Sequence, residues 1–111
     1  MKIITAIIRP HMLDKVIDEL EKIEDFPGMT VTDARGFGRR LSNLEANAAR
    51  MDPLKAKTRV EIAAPDVQAQ QILETLLRAA HTGHHGDGKV FVWALESAVR
   101  VQTGEQDEAA L

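Results

Sequence analysis

The predicted elements run strand, helix, strand, strand, helix, strand. That order defines an α+β fold, a ferredoxin-like βαββαβ sandwich with both helices on one face of an antiparallel sheet. Three observations carry the prediction. The chain opens on an isoleucine-rich stretch with period-two patterning. Two apolar stripes of helical period follow, one before the second strand and one after the third. Turn signals fall between the elements: Arg9-Pro10, Phe26-Pro27-Gly28, Pro65 and a glycine-rich run from Thr82 to Lys89.

Taken in order, Lys2 to Ile8 places Ile4, Ala6 and Ile8 on one face and Ile3, Thr5 and Ile7 on the other. From Met12 to about Glu24, Leu13, Val16, Ile17 and Leu20 recur at helical spacing, with Asp14, Asp18, Glu19 and Glu21 outside. Met29 to Phe37 is rich in Thr and Val. Its Asp33 and Arg35 share a phase with Met29 and Val31, which predicts an edge strand or a bulge. Residues 39–57 form a long connection carrying Arg39, Arg40, Arg50, Lys55 and Lys57 against Glu45 and Asp52, a positive segment in an acidic chain. Thr58 to Ala64 is the third strand, with Val60, Ile62 and Ala64 on one face and Arg59 and Glu61 on the other. Pro65 ends it, and Asp66 is the expected N-cap of the second helix. Ala69, Ile72, Leu73, Leu76, Leu77 and Ala80 form that helix's stripe, and Gly83 is expected to stop it in the left-handed conformation. Val90 to Leu95 is the fourth strand, apolar on both faces. Ala98 to Gln102 is a short extended piece, and Gly104 to Leu111 a polar, acidic tail. The face of the first and last strands away from the helices still carries Ile3 and Ile7, with Val90 and Val92 as expected equivalents. An apolar sheet face needs a cover, so the pattern predicts self-association.

At 111 residues the chain is expected to form one domain, 1–111. Hydrophobic content of 44% and charged content of 28% fit a globular protein rather than a disordered one. With no cysteine, disulfides, thiolate catalysis and cysteine-based zinc sites are excluded. A net charge of −3 argues against nucleic-acid binding by bulk electrostatics. No apolar run reaches the ~20 residues of a membrane span, and the opening residues do not read as a signal peptide. No nucleic-acid partner, no membrane insertion and a cytoplasmic location are therefore expected.

The chemically distinctive stretch is Thr82-Gly83-His84-His85-Gly86-Asp87-Gly88-Lys89. Glycines let successive backbone N–H groups converge on one point, a concavity that suits an anion, and Lys89 adds a positive charge beside it. The element order, helix then loop then strand, is the reverse of a Walker A loop. On the octet alone, a ligand-free helix-to-strand turn fits equally well. Asp87 is expected to hold the loop through local bonds to backbone rather than to act as a base.

Several spaced motifs together resemble the PII nitrogen-regulatory signal-transduction family. They are Ala6-Ile7-Ile8-Arg9-Pro10 with Leu13-Asp14, Gly28-Met29-Thr30-Val31, Gly36-Phe37-Gly38-Arg39, Thr82-Gly83 with Gly86-Asp87-Gly88-Lys89, and Thr103-Gly104-Glu105. The resemblance runs nearly end to end and fails mainly between Arg40 and Thr58. It implies a homotrimer that binds ATP or ADP, with or without magnesium, in clefts between subunits. It further implies a loop, the T-loop at about 39–57, that engages a target protein such as a membrane transporter or an enzyme. Carried over, Thr82, Gly83, Gly86, Asp87, Gly88 and Lys89 belong to the phosphate-binding B-loop (82–89). Thr30, Gly36, Gly38, Arg39, Glu61 and Ile62 line the nucleotide pocket. Arg100 and Gln102 reach the phosphates from the neighbouring subunit. Lys57 aligns with a lysine that contacts 2-oxoglutarate, and Arg50 and Lys55 serve partner binding.

The departures narrow these expectations. Arg40 stands where the family has a magnesium-binding glutamine, which weakens the expectation of 2-oxoglutarate binding. Gln102 replaces one of the family's paired arginines, which leaves the choice among ATP, ADP and AMP open. The T-loop is shorter, and the chain has no tyrosine, so the family's uridylylation site is missing. A second reading uses His81, His84 and His85 as ligands in a trimeric ferredoxin-like metal-binding or metal-tolerance protein. A third is enzymatic, but no nucleophile–base pair stands at suggestive spacing, and the expectation is a regulator rather than an enzyme.

Overall fold

A computed structural model of the chain describes residues 1–38 and 54–111. Strand β1 is Lys2–Ile8. A 3-10 turn at Pro10–Met12 leads into helix α1, Leu13–Glu21. Strands β2 (Thr30–Gly36) and β3 (Lys55–Ala64) follow, then helix α2 (Asp66–Ala80) and strand β4 (Gly88–Ala94). A second 3-10 turn lies at Asp107–Ala110. The sheet order is β2-β3-β1-β4 with every neighbouring pair antiparallel, which is the ferredoxin-like arrangement.

The helices cover one sheet face, and the core forms between. Ile4, Ala6 and Ile8 of β1 and Val60, Ile62 and Ala64 of β3 meet Val16 and Leu20 of α1 and Ile72, Leu76 and Ala79 of α2, all at most 1% exposed. Each buried Val, Leu or Ile contributes roughly 1.5–3 kcal/mol of transfer free energy. The predicted faces of β1 and β3 are therefore the observed ones. β2 is an edge strand as expected. Its register, Thr30↔Glu61 through Gly36↔Lys55, runs without a bulge.

Other expectations are corrected. Helix α1 ends at Glu21 rather than Glu24. Bonds from Ile23 N to Leu20 O and from Phe26 N to Ile23 O tighten the chain into turns, while Ile23 still reaches the core. Asp66 is the first residue of α2, and the extended backbone of Pro65 takes the cap position. Gly83 has φ +84 but does not end α2. His81 is already extended at the C-cap, so the glycine belongs to the loop beyond. β3 starts at Lys55, not Thr58, because its first residues pair with β2 (Ala34↔Lys57, Gly36↔Lys55). Lys55 and Lys57 are thus strand residues rather than part of a connection. Val90 and Val92 sit opposite Ala6 and Ile4, on the helix-covered face. The uncovered face carries Phe91 and Trp93, opposite Thr5 and Ile3. The stretch after β4 also folds back on itself. Asp107 N donates to Ala98 O and Arg100 N to Glu105 O, closing a turn around Gly104.

Candidate functional site

The C-terminal end of β1, the start of β3 and the start of β4 meet at one end of the sheet. The register pairs Ile8 with both Thr58 and Gly88, and Ile7 with Arg59 and Lys89. The octet 82–89 enters β4 at this end. Its last glycine is required by close approach: a Cβ on Gly88 would lie 1.7 Å from the carbonyl oxygen of Ile7, and the backbone there has φ +113.

Asp87 organises the loop from within. Its carboxylate accepts bonds from the Thr82 and Gly83 backbone N–H groups (2.8 and 2.9 Å), from the Thr82 hydroxyl, and from Arg9 Nε (3.2 Å). The Thr82 hydroxyl and backbone N–H, followed by the Gly83 N–H and Arg9, outweigh partial burial and hold the Asp87 pKa well below the usual carboxylate range. An ionised Asp87 bound to backbone is the role the residue pattern suggested. Thr82 Oγ1 also accepts the His84 N–H at 3.2 Å.

Two cations hold the loop from outside. Arg9 Nη2 donates to the His85 carbonyl, and Lys57 Nζ donates to the Gly86 carbonyl at 3.0 Å. Burial and repulsion from Arg9 and Lys55 pull the Lys57 pKa down, and Asp87 partly opposes them. Lys89 is exposed at the start of β4. This end of the sheet therefore carries Arg9, Lys55, Lys57 and Lys89, with Arg9 on Asp87 and Lys57 on the Gly86 carbonyl, a net positive setting for a glycine-rich loop.

The remaining sequence-based candidates fall differently. Gly36 pairs with Lys55 at this same end, and Gly38 lies just beyond it. Thr30 and Glu61 pair with each other farther along the sheet. Glu61 is engaged by Arg59 and by the Thr5 hydroxyl at 3.4 Å. The Ile62 side chain is fully buried in the core, so only its backbone can face a ligand. Arg100 and Gln102 follow Leu95, whose N–H bonds Met1 O at the opposite end of the sheet. The seven residues of β4, roughly 20 Å of strand, run between the octet and that end. Arg100 lies 4.0 Å from Glu105 and donates to Leu111 O at 3.2 Å, and Gln102 is exposed. Arg39, Arg40 and Arg50 lie outside the described residues. His81 Nδ1 is 3.8 Å from Asp87 Oδ2, but no three of His, Cys, Asp and Glu gather as metal ligands among the described residues. The metal reading has no geometric support there.

Arg9 was not among the expected site residues. Its bonds to Asp87 and His85 span 78 and 76 positions. The available signal was an arginine before proline at the end of a strand whose antiparallel neighbour starts in the octet.

The family profile described as nitrogen regulatory protein P-II matches residues 1–105. The chain belongs to the P-II family. It is 41% identical over 113 aligned positions to the nitrogen regulatory protein P-II of Haemophilus influenzae, and equally to P-II 1 of Escherichia coli K12, with all of each chain covered. In structure it is similar to Arabidopsis thaliana PII bound to citrate, with TM-score 0.83 and 35% identity, covering 99% of this chain and 91% of that one. The P-II chain is accordingly a member of a nitrogen-regulatory signal-transduction family on a ferredoxin-like fold. No helix among the described residues is long and apolar enough to cross a membrane.

Proposed function

We propose that this P-II chain is a cytoplasmic, non-enzymatic signal-transduction regulator that binds ATP, ADP or AMP through the octet 82–89. Its T-loop segment, ahead of β3, then controls a target protein, a transporter or an enzyme, in nitrogen regulation. The observation that carries the reading is the octet itself: a left-handed glycine turn organised internally by Asp87 and flanked by Arg9, Lys57 and Lys89. Such a loop suits a polyphosphate, because cations outnumber the one carboxylate around it and the turn is fixed before the ligand arrives.

The site works between subunits. The chain leaves β4 toward Arg100 and Gln102 at the sheet end opposite the octet, which supports their reaching the same phosphates from a neighbouring copy. The uncovered sheet face supplies the contact. Phe91 and Trp93 are 49% and 45% exposed beside Ile3 and Ile7, an apolar face that a homotrimer would bury. The Thr82 hydroxyl does meet a carboxylate, but Asp87 is already held by two backbone N–H groups and Arg9 and its pKa is lowered, which makes it a weak base and supports a regulator over a hydrolase.

Titration calorimetry with ATP, ADP and AMP, each with and without magnesium and 2-oxoglutarate, tests the reading. Micromolar binding of at least one nucleotide supports it. A chain that binds none of them, or that turns over ATP at ordinary enzyme rates, contradicts it.

A further inference from the structure

Asp87 poses a problem for an anion-binding loop. The carboxylate is needed, because it accepts the Thr82 and Gly83 N–H groups and the Thr82 hydroxyl that shape the turn. It also puts a full negative charge inside a loop meant to receive another one. The His85 and Gly86 carbonyl oxygens add partial negative charge beside it. Arg9 answers the carboxylate and the first carbonyl with one planar group: Nε meets Asp87 Oδ1 while Nη2 meets His85 O.

Two further features show that arginine and loop are fitted to each other. Gly86 has φ +96, and a Cβ there would sit 3.2 Å from Arg9 Nη2, so the glycine leaves room for the guanidinium. Pro10 restricts Arg9 to extended backbone, observed as φ −66 and ψ 135, which fixes where the side chain leaves β1. The Arg9 and Asp87 side chains are 27% and 23% exposed, partly withdrawn from screening by water.

We propose that Arg9 is a positioning residue for phosphate binding: it neutralises Asp87 and ties back the His85 carbonyl, so the octet meets a phosphate group as a positive turn. The proposal rests on the nucleotide reading above, which counts Arg9 only as a flanking charge. A fork geometry is required, and a lysine ammonium, a point charge on a flexible stem, reproduces the charge but not the two-point hold.

The test measures ADP and pyrophosphate affinity by calorimetry, with adenosine as the uncharged control, in wild type, Arg9→Met and Arg9→Lys. The expected loss in Arg9→Met is about 10- to 100-fold for ADP and pyrophosphate, the range for one charge-assisted bond, with adenosine unchanged. Arg9→Lys should recover only part of it. Amide NMR of Thr82 and Gly83 in Arg9→Met should keep the shifts of bonds to a carboxylate, which separates lost neutralisation from a collapsed loop. The Asp87 carboxyl, followed by carbon-13 NMR, should titrate at higher pH in Arg9→Met than in wild type. In wild type itself the Arg9 Nε–H should exchange slowly with water, free or ADP-bound, so the claim stands open to refutation even if Arg9→Met does not fold. ADP affinity within twofold of wild type in Arg9→Met, full recovery in Arg9→Lys, or an Arg9 Nε–H exchanging like free arginine would each overturn the proposal. Wild type that binds neither ADP nor pyrophosphate would remove the nucleotide reading and this one together.

Discussion

A Gly88→Ala substitution would place a Cβ 1.7 Å from the Ile7 carbonyl oxygen, 2.9 Å from its carbon and 3.3 Å from Ile8 Cα. All three are backbone atoms, so no rotamer change relieves the overlap. Ile7 is held on its other side by β3, where it pairs with Arg59. The strain therefore falls on β4, whose first two pairs, Gly88↔Ile8 and Lys89↔Ile7, should open. Backbone bonds lost there cost about 0.5–1.5 kcal/mol each. The φ of +113 adds roughly 1–2 kcal/mol for any residue with a Cβ. The sum is about 2–5 kcal/mol. Gly28→Ala is the control: Gly28 has φ +98 but nothing within 4 Å of the added Cβ, so only the conformational part, roughly 1–2 kcal/mol, applies. Urea unfolding at one fixed protein concentration measures both, the fixed concentration guarding against linkage to assembly. A Gly88→Ala protein no less stable than Gly28→Ala would show that the approach of the octet to β1 is not what the reasoning requires.

Asp87 has a folded-state pKa below its unfolded value, so its contribution to stability is complete above about pH 4 and is lost as pH falls below that. The stability gap between wild type and Asp87→Asn, followed by urea unfolding across pH, should be widest near neutrality and shrink steadily below about pH 4; a gap independent of pH would contradict the hub role. Lys57→Met removes the bond to Gly86 O but also relieves repulsion with Arg9 and Lys55, so its unfolding free energy should stay within about 1 kcal/mol of wild type. A loss of several kcal/mol would mean the contact is structural. Trp93→Glu should convert the proposed homotrimer to a monomer in light scattering, since it puts a charge on the uncovered apolar face; an unchanged mass would move the interface elsewhere.

The readable parts of the sequence were those where chemistry and geometry have a one-to-one relation. In β3, Val60, Ile62 and Ala64 alternate with Arg59 and Glu61, so polarity marks the side that faces the helices, whereas in β1 only Thr5 separates the Ile3 and Ile7 face from that of Ile4, Ala6 and Ile8. β4 gives no such contrast. Val90, Phe91, Val92 and Trp93 are all apolar, so parity is invisible, and only the register with β1 shows that the aromatics, not the valines, face away from the helices. The early start of β3 was hidden for a related reason. Lys55-Ala56-Lys57 lacks an apolar face because β2 pairs with it beyond the helix-covered area, where no core demands one. In the site, the spacing of Gly86, Asp87 and Gly88 marked the loop, and the hydrogen-bonding habit of Asp marked its organiser. The roles of Arg9 and Lys57 depend on contacts 78 and 29 positions away, which local patterning does not encode.

Amide NMR of the wild-type protein titrated with ADP tests the central claim most directly. The account predicts saturable shifts concentrated at Thr82–Lys89, at Gly36 and Gly38, and at Arg100–Gln102, the last group moving because a neighbouring subunit closes the same cleft. Shifts confined to residues away from the octet, such as the exposed side of α1, or no saturable shift with any adenine nucleotide, would contradict it.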